Sequence, residues 1–81
     1  MILQERTWGE HHVYAGAIES LRGGYTAAII IQRRAGKAQQ EVFRDDTLAC
    51  AYRWRTAQEA IDYAINRARE VLNRQAVRQA A

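Results

Sequence analysis

The stretch YTAAIIIQRR at residues 25–34 decides the fold of this 81-residue chain. Three consecutive isoleucines at 29–31 form its centre, and a β-branched run bounded by turns is typical of a strand with apolar contacts on both faces. The Gly-Gly pair at 23–24 precedes it, and adjacent glycines supply the positive φ that a tight hairpin turn requires. The stretch therefore predicts a central β-strand over residues 24–34.

Further strands are predicted on both sides of this one. A strand over residues 11–20 precedes the Gly-Gly turn, and a more polar strand over 38–44 follows the turn at 35–36. The polar turn Asp-Asp-Thr at 45–47 leads into a fourth strand over 48–55. Because the three turns are short, the strands are expected to form an antiparallel meander.

A helix is predicted over residues 56–75. Thr56 and Glu59 have the spacing of a capping box at its start. Apolar residues then recur at helical spacing as far as Leu72. The sequence thus predicts a single α+β domain over 1–81, in which a four-stranded antiparallel meander is followed by one C-terminal amphipathic helix packed on one sheet face.

The strand register predicts which side chains share a face. A two-residue turn at 23–24 places Ile18 opposite Ile29. The helix-covered face is then expected to carry Tyr14, Ile18, Ile29, Ile31, Val42, Leu48, Cys50, Tyr52 and Trp54. The other face is expected to carry Val13, Ala15, Ala17, Ala28, Ile30, Phe43, Ala49 and Ala51. A different turn at 45–47 would move Tyr52 and Trp54 to the open side. Since the second face is too apolar for free exposure, we expect a homodimer or homotetramer.

Composition excludes several classes of protein. With 48% hydrophobic and 26% charged residues and no proline, the chain is not of the disordered class. It has no apolar run long enough for a membrane span and no visible secretory signal. The single Cys50 excludes an internal disulfide. These features predict a cytoplasmic protein with no membrane partner.

Catalytic and metal-binding patterns are weak. Adjacent strand residues point to opposite faces, so His11 and His12 are not expected to share a metal ion. The Asp45-Asp46 pair is typical of a turn, and Cys50 is typical of a small core residue. No glycine-rich loop leads into a helix, where a phosphate would bind. We therefore expect no enzyme activity, no metal and no cofactor.

Arginine and aromatic residues alternate in the tetrapeptide Tyr52-Arg53-Trp54-Arg55. Eleven of the twelve basic residues are arginines, and the net charge is +3. Surfaces that stack bases and contact phosphates combine these residue types. Strand periodicity alone also explains the pattern, with both rings in the core and both arginines in solvent. The residues expected to neutralise phosphates are Arg33, Arg34, Lys37, Arg53 and Arg55. The candidate stacking rings, depending on register, are Tyr25, Phe43, Tyr52 and Trp54.

The β-β-β-β-α order over about residues 11–75 resembles one unit of the whirly and Pur-alpha-like single-stranded nucleic-acid-binding folds. That resemblance implies association of units and nucleic acid on the sheet surfaces. Together with the arginines and aromatics, it predicts an oligomeric protein that binds single-stranded DNA or RNA with little sequence specificity. The alternative is a non-enzymatic oligomeric adaptor or regulatory protein whose open sheet face contacts another protein.

Overall fold

The computed structural model describes residues 2–36, 38–45 and 52–80. The elements are β1 (Ile2–Trp8), β2 (His11–Glu19), β3 (Tyr25–Ala35), β4 (Ala38–Asp45) and α1 (Ala57–Ala80). The four strands form one antiparallel sheet, in which each strand pairs with the next along the chain. The helix packs on one face of this sheet. The predicted fold class is therefore confirmed.

The first strand was not predicted, because no strand was expected before residue 11. It pairs with β2 from Ile2 opposite Ala17 to Trp8 opposite His11. Five of its seven residues are exposed, as is common for a strand at the edge of a sheet. Backbone hydrogen bonds hold such a strand with little need for apolar side chains. Its sequence, ILQERTW, consequently lacks the alternation by which a half-buried strand is recognised.

The predicted fourth strand, over residues 48–55, is not confirmed where the structure describes it, because residues 52–55 form no continuous strand. Residues 48–51 lie outside the described residues. Trp54 forms an isolated antiparallel bridge with Tyr25, in which each residue's N–H donates to the other's carbonyl, at 2.8 and 2.9 Å. The pairing of β4 with β3 reaches Ile29, so the first residues of β3 leave an edge to which Trp54 bonds.

The register between β2 and β3 also differs from the prediction. Glu19 lies opposite Tyr25, so a five-residue connection replaces the expected two-residue turn. The amide of Ser20 donates to the Gly24 carbonyl at 2.9 Å, a hydrogen bond that spans the connection between the two strand ends. Ile29 therefore opposes Ala15 rather than Ile18. This shift of three residues is odd, and it exchanges the two faces of β2 relative to β3.

The core consequently contains the β2 residues that were expected on the other face. Tyr14 and Ile18, predicted to be core residues, lie on the side away from the helix. Ile29 and Ile31 face the helix, as predicted. The fully buried cluster consists of Val13, Ala15, Ala17, Ile29, Ile31, Ala60, Ile61, Ala64 and Ala68. Alanines on both sides of this interface let the helix approach the sheet closely.

A bulge in β4 changes the position of Phe43. Ile31 opposes Phe43 and Gln32 opposes Glu41, so Val42 is an extra residue in this strand. Val42 was expected opposite Ile29, which instead opposes Asp45. Both Val42 and Phe43 pack against the core. The prediction that Phe43 lies on the uncovered face is therefore wrong.

The helix is longer than predicted, since it begins at Ala57 and continues to Ala80. The amide of Glu59 donates to the hydroxyl of Thr56 at 3.1 Å, which confirms Thr56 as the N-cap. Among the described residues, no helix combines the length and the apolar character that crossing a membrane requires.

Candidate functional site

Residues 52–55, which we call the aromatic–arginine tract, connect the end of the sheet to the helix. The backbone bridge between Trp54 and Tyr25 anchors the tract to the start of β3. Tyr52 is 62% exposed, and Arg53 and Arg55 are also exposed. The tract therefore presents one ring and two guanidinium groups to solvent.

Three aromatic rings pack in series at this place. The centroids of Tyr52 and Trp54 are 4.8 Å apart, and those of Trp54 and Tyr63 of the helix are 4.6 Å apart. Both distances lie in the range of favourable aromatic pairs. Trp54 is half-buried and packs against the core, whereas Tyr52 is the most exposed of the three rings. Packing from the helix thus holds Trp54 in position, and Trp54 supports Tyr52.

The β2–β3 turn packs directly against the tract. Gly24 has a φ of 73°, and a Cβ atom at this position would lie 2.9 Å from the Trp54 carbonyl oxygen and 3.3 Å from the Arg53 Cβ. Arg22, two residues earlier in the same turn, is exposed. The structure therefore adds Arg22 to this end of the sheet. Sequence reasoning missed it, although its place beside the Gly-Gly pair was a usable signal.

The other predicted phosphate contacts lie at the opposite end of β3. Arg33 forms an ion pair with Glu10 at 3.4 Å, and Arg34 is exposed. Arg34 lies nine positions after Tyr25 in β3, which corresponds to roughly 30 Å of strand. Lys37 lies outside the described residues. The structure therefore does not bring the predicted residues into one patch but divides them between two ends of the sheet.

The remaining predicted stacking rings are less accessible than Tyr52. Tyr25 and Phe43 are half-buried and pack against the core from the helix side. Neither ring lies on the side of the sheet away from the helix. Of the four candidate rings, Tyr52 is therefore best placed to meet a ligand.

The side of the sheet away from the helix, which we call the open face, carries a second group of residues, of which sequence reasoning assigned only Arg34 to a site. The register places there Leu3, Glu5, Thr7, His12, Tyr14, Gly16, Ile18, Thr26, Ala28, Ile30, Gln32, Arg34, Gln39, Glu41 and Arg44. The His12 and Tyr14 rings stack with centroids 4.5 Å apart. The stacking was missed because the predicted register put Tyr14 in the core.

A cavity of about 590 Å³ lies at the end of the open face near the β1–β2 and β3–β4 turns. Thr7, His12, Gln32, Arg34 and Gln39 are among its lining residues. His12 Nε2 and Gln32 Oε1 are buried, and within the described part of the chain neither makes a hydrogen bond. His12 Nε2 lies 3.5 Å from Glu5 Oε2, close enough for an ion pair but without hydrogen-bond geometry. This end of the face is therefore polar, and two of its buried side-chain atoms lack a hydrogen-bond partner among the described residues.

The residues considered for catalysis do not assemble into a centre in the described ranges. His11 and His12 occupy adjacent positions in β2 and therefore point to opposite faces. No group of three metal-ligating side chains occurs in residues 2–36, 38–45 and 52–80. Asp46 and Cys50 lie outside these ranges.

Comparison with known proteins gives a family and no further relative. Neither the search of curated proteins nor the search of solved structures found a match. The family described as "Domain of unknown function (DUF6566)" matches residues 1–81, and the chain belongs to that family.

Proposed function

We propose that the protein binds single-stranded DNA or RNA with little sequence specificity through the aromatic–arginine tract. The observation that carries this proposal is the exposed ring of Tyr52, supported by Trp54 and placed beside the exposed Arg53 and Arg55. A ring of this kind stacks on any base, and guanidinium groups bind phosphates. The β-β-β-β-α order, which resembles the whirly and Pur-alpha-like units, supports the proposal by analogy.

The distribution of charge also supports binding at the tract. Glu5, Glu41, Arg34 and Arg44 are the charged residues that the register places on the open face, and their charges cancel. The net charge of +3 therefore arises from the rest of the chain, which includes the tract and Arg22. Arg22, Arg53 and Arg55 are exposed at the end of the sheet where Tyr52 is exposed, and guanidinium groups there attract a polyanion.

The stacking contribution is tested by replacing the exposed ring. Tyr52→Ala is expected to weaken the binding of a fluorescein-labelled oligothymidylate about 5- to 150-fold, the equivalent of the ~1–3 kcal/mol lost per unstacked base. Tyr52→Phe keeps the ring and is expected to bind as the unaltered protein does. Fluorescence anisotropy measures both affinities. Equal binding by the alanine and phenylalanine variants would remove Tyr52 from the site.

The phosphate contribution is tested by the salt dependence of the same affinity. Arg53→Ala and Arg55→Ala are each expected to reduce the slope of log K against log salt by about 0.7, the value for one phosphate on a single strand. Arg74→Ala, an exposed arginine roughly 26 Å along the helix from Ala57, is the charge-matched control and should leave the slope unchanged. An equal effect of all three variants would indicate diffuse attraction without a site.

A non-enzymatic oligomeric adaptor is the second candidate, and the electrically balanced open face with its apolar residues favours it. The same titration separates the two functions. If correctly folded protein binds no oligonucleotide below about 100 µM at physiological salt, which is the weak end of non-specific binding, the nucleic-acid proposal fails and the adaptor function is favoured.

A further inference from the structure

We infer that the open face is an interface with a second copy of this chain, which packs its own open face against it. The two sheets then form the inner layers of a four-layer dimer, and the helices lie outside. This inference concerns a different surface from the aromatic–arginine tract and does not depend on nucleic-acid binding.

The first argument is the extent of the face. Its four strands have 7, 9, 11 and 8 residues and cover roughly 19 by 30 Å. The side chains that rise from this footprint give it a larger accessible area, of the order of the 800 Å² or so that each partner loses in an interface of standard size.

The second argument is the composition of the face. Its two acidic and two basic residues balance, so a second copy meets it without net repulsion. Around the small residues Gly16 and Ala28, the larger side chains of Tyr14, Ile18 and Ile30 are half-buried. Large side chains around a depression interdigitate when two sheets pack about 10 Å apart. Such a surface suits a partner sheet better than it suits a polyanion.

The third argument fixes the orientation of the two copies. The open face is apolar near the β2–β3 turn and polar at its opposite end, where His12, Gln32 and Arg34 line the cavity. A two-fold axis across the strands would place the polar end on the partner's apolar end and bury unpaired polar groups. An axis parallel to the strands, between β2 and β3, places the apolar end of one copy over the apolar end of its partner and the polar end over the polar end. That arrangement is isologous, as a closed dimer requires.

This axis predicts specific neighbours across the interface. β2 of one copy lies over β3 of the other, so Tyr14 meets the partner's Ile30 and Ile18 meets the partner's Thr26. At the polar end, His12 lies over the partner's Gln32. Apolar side chains thus meet toward the β2–β3 turn, and polar side chains meet at the other end of the face.

Light scattering after size exclusion tests the dimer. The unaltered chain is expected to have twice the 9.3 kDa mass of the monomer. Ile30→Lys is expected to give the monomer mass with an unchanged circular dichroism spectrum, because the ammonium group would be buried in the interface. Leu21→Lys, at a fully exposed leucine in the β2–β3 turn, is the matched control and should remain a dimer. A monomeric unaltered chain, or a folded Ile30→Lys dimer, overturns the inference.

A second measurement covers the case in which Ile30→Lys fails to fold. Ile18→Cys in a Cys50→Ser background is labelled with a polar maleimide over about 1–100 µM protein, a range chosen to span the change from monomer to dimer by mass action. The labelling rate is expected to fall as concentration rises, whereas Leu21→Cys in the same background should react at a constant rate. A constant rate at residue 18 overturns the inference. Protection of residue 18 by an oligonucleotide, with the chain monomeric, also overturns it and assigns the face to nucleic acid.

Discussion

At the scale of single residues, Gly24 joins the β2–β3 turn to the aromatic–arginine tract. Its φ is 73°, and the Trp54 carbonyl oxygen lies only 2.9 Å from the position that a Cβ atom would take. Gly24→Ala is therefore expected to lower the free energy of unfolding by about 2–4 kcal/mol, through the left-handed backbone and the steric overlap together. Urea denaturation at a fixed protein concentration measures the loss.

Gly9→Ala separates these two causes. Gly9 has a similar φ of 61°, but a Cβ atom there would meet nothing within 4 Å. Its replacement is expected to cost only the backbone contribution of about 1–2 kcal/mol. If Gly24→Ala costs no more than Gly9→Ala, the close packing of the turn against the tract is not part of the folded state.

At the scale of secondary structure elements, the N-terminus of the helix depends on one side-chain hydrogen bond. The Glu59 amide donates to the Thr56 hydroxyl at 3.1 Å, which is the N-cap hydrogen bond of this helix. Thr56→Ala is expected to cost about 1 kcal/mol. That loss lowers the melting temperature by roughly 4–8 °C in a domain of this size.

Thr56→Ser is the control for the cap, because its hydroxyl accepts the same hydrogen bond. It is expected to melt within about 2 °C of the unaltered protein, since serine and threonine caps differ little in strength. A serine variant as unstable as the alanine variant would show that the threonine methyl group, and not the cap, stabilises this junction.

At the scale of the whole molecule, the proposed dimer and the proposed nucleic-acid site together predict a dependence of affinity on strand length. A face-to-face dimer carries one aromatic–arginine tract on each copy, so a long single strand is able to contact both. The second contact is then intramolecular and raises the affinity by about 10²-fold when the strand spans the two tracts. The monomeric Ile30→Lys variant is expected to lose this gain and to keep its affinity for a short oligonucleotide.

Anisotropy titrations with an eight-nucleotide and a thirty-nucleotide strand measure the effect, where about 4–16 nucleotides is the usual size of one site. Leu21→Lys, which adds the same charge outside the open face, should show the full gain with length. An equal gain with length in the Ile30→Lys and Leu21→Lys proteins would mean that the dimer does not place both tracts on one strand.

Local patterns made part of this fold predictable. The capping residue Thr56 and the helical spacing of apolar residues from Ala57 to Leu72 identified the helix, because both signals lie within one continuous segment. The isoleucines at 29–31 identified the central strand for the same reason. The tetrapeptide at 52–55 indicated a candidate site, although its pattern did not show which ring is exposed.

The sequence by itself thus determined the helix, the central strands and the α+β order, since periodicity within a segment records which element it forms. The tertiary structure alone decided β1, the faces of β2 and the exposure of Tyr52. An edge strand needs no apolar alternation, because backbone hydrogen bonds to its neighbour hold it. The faces of β2 depend on the register of the β2–β3 hairpin, and a shift by an odd number of residues reverses every side chain. Tyr52 is exposed because Trp54 bonds to Tyr25 and packs on Tyr63, contacts between residues far apart in the chain.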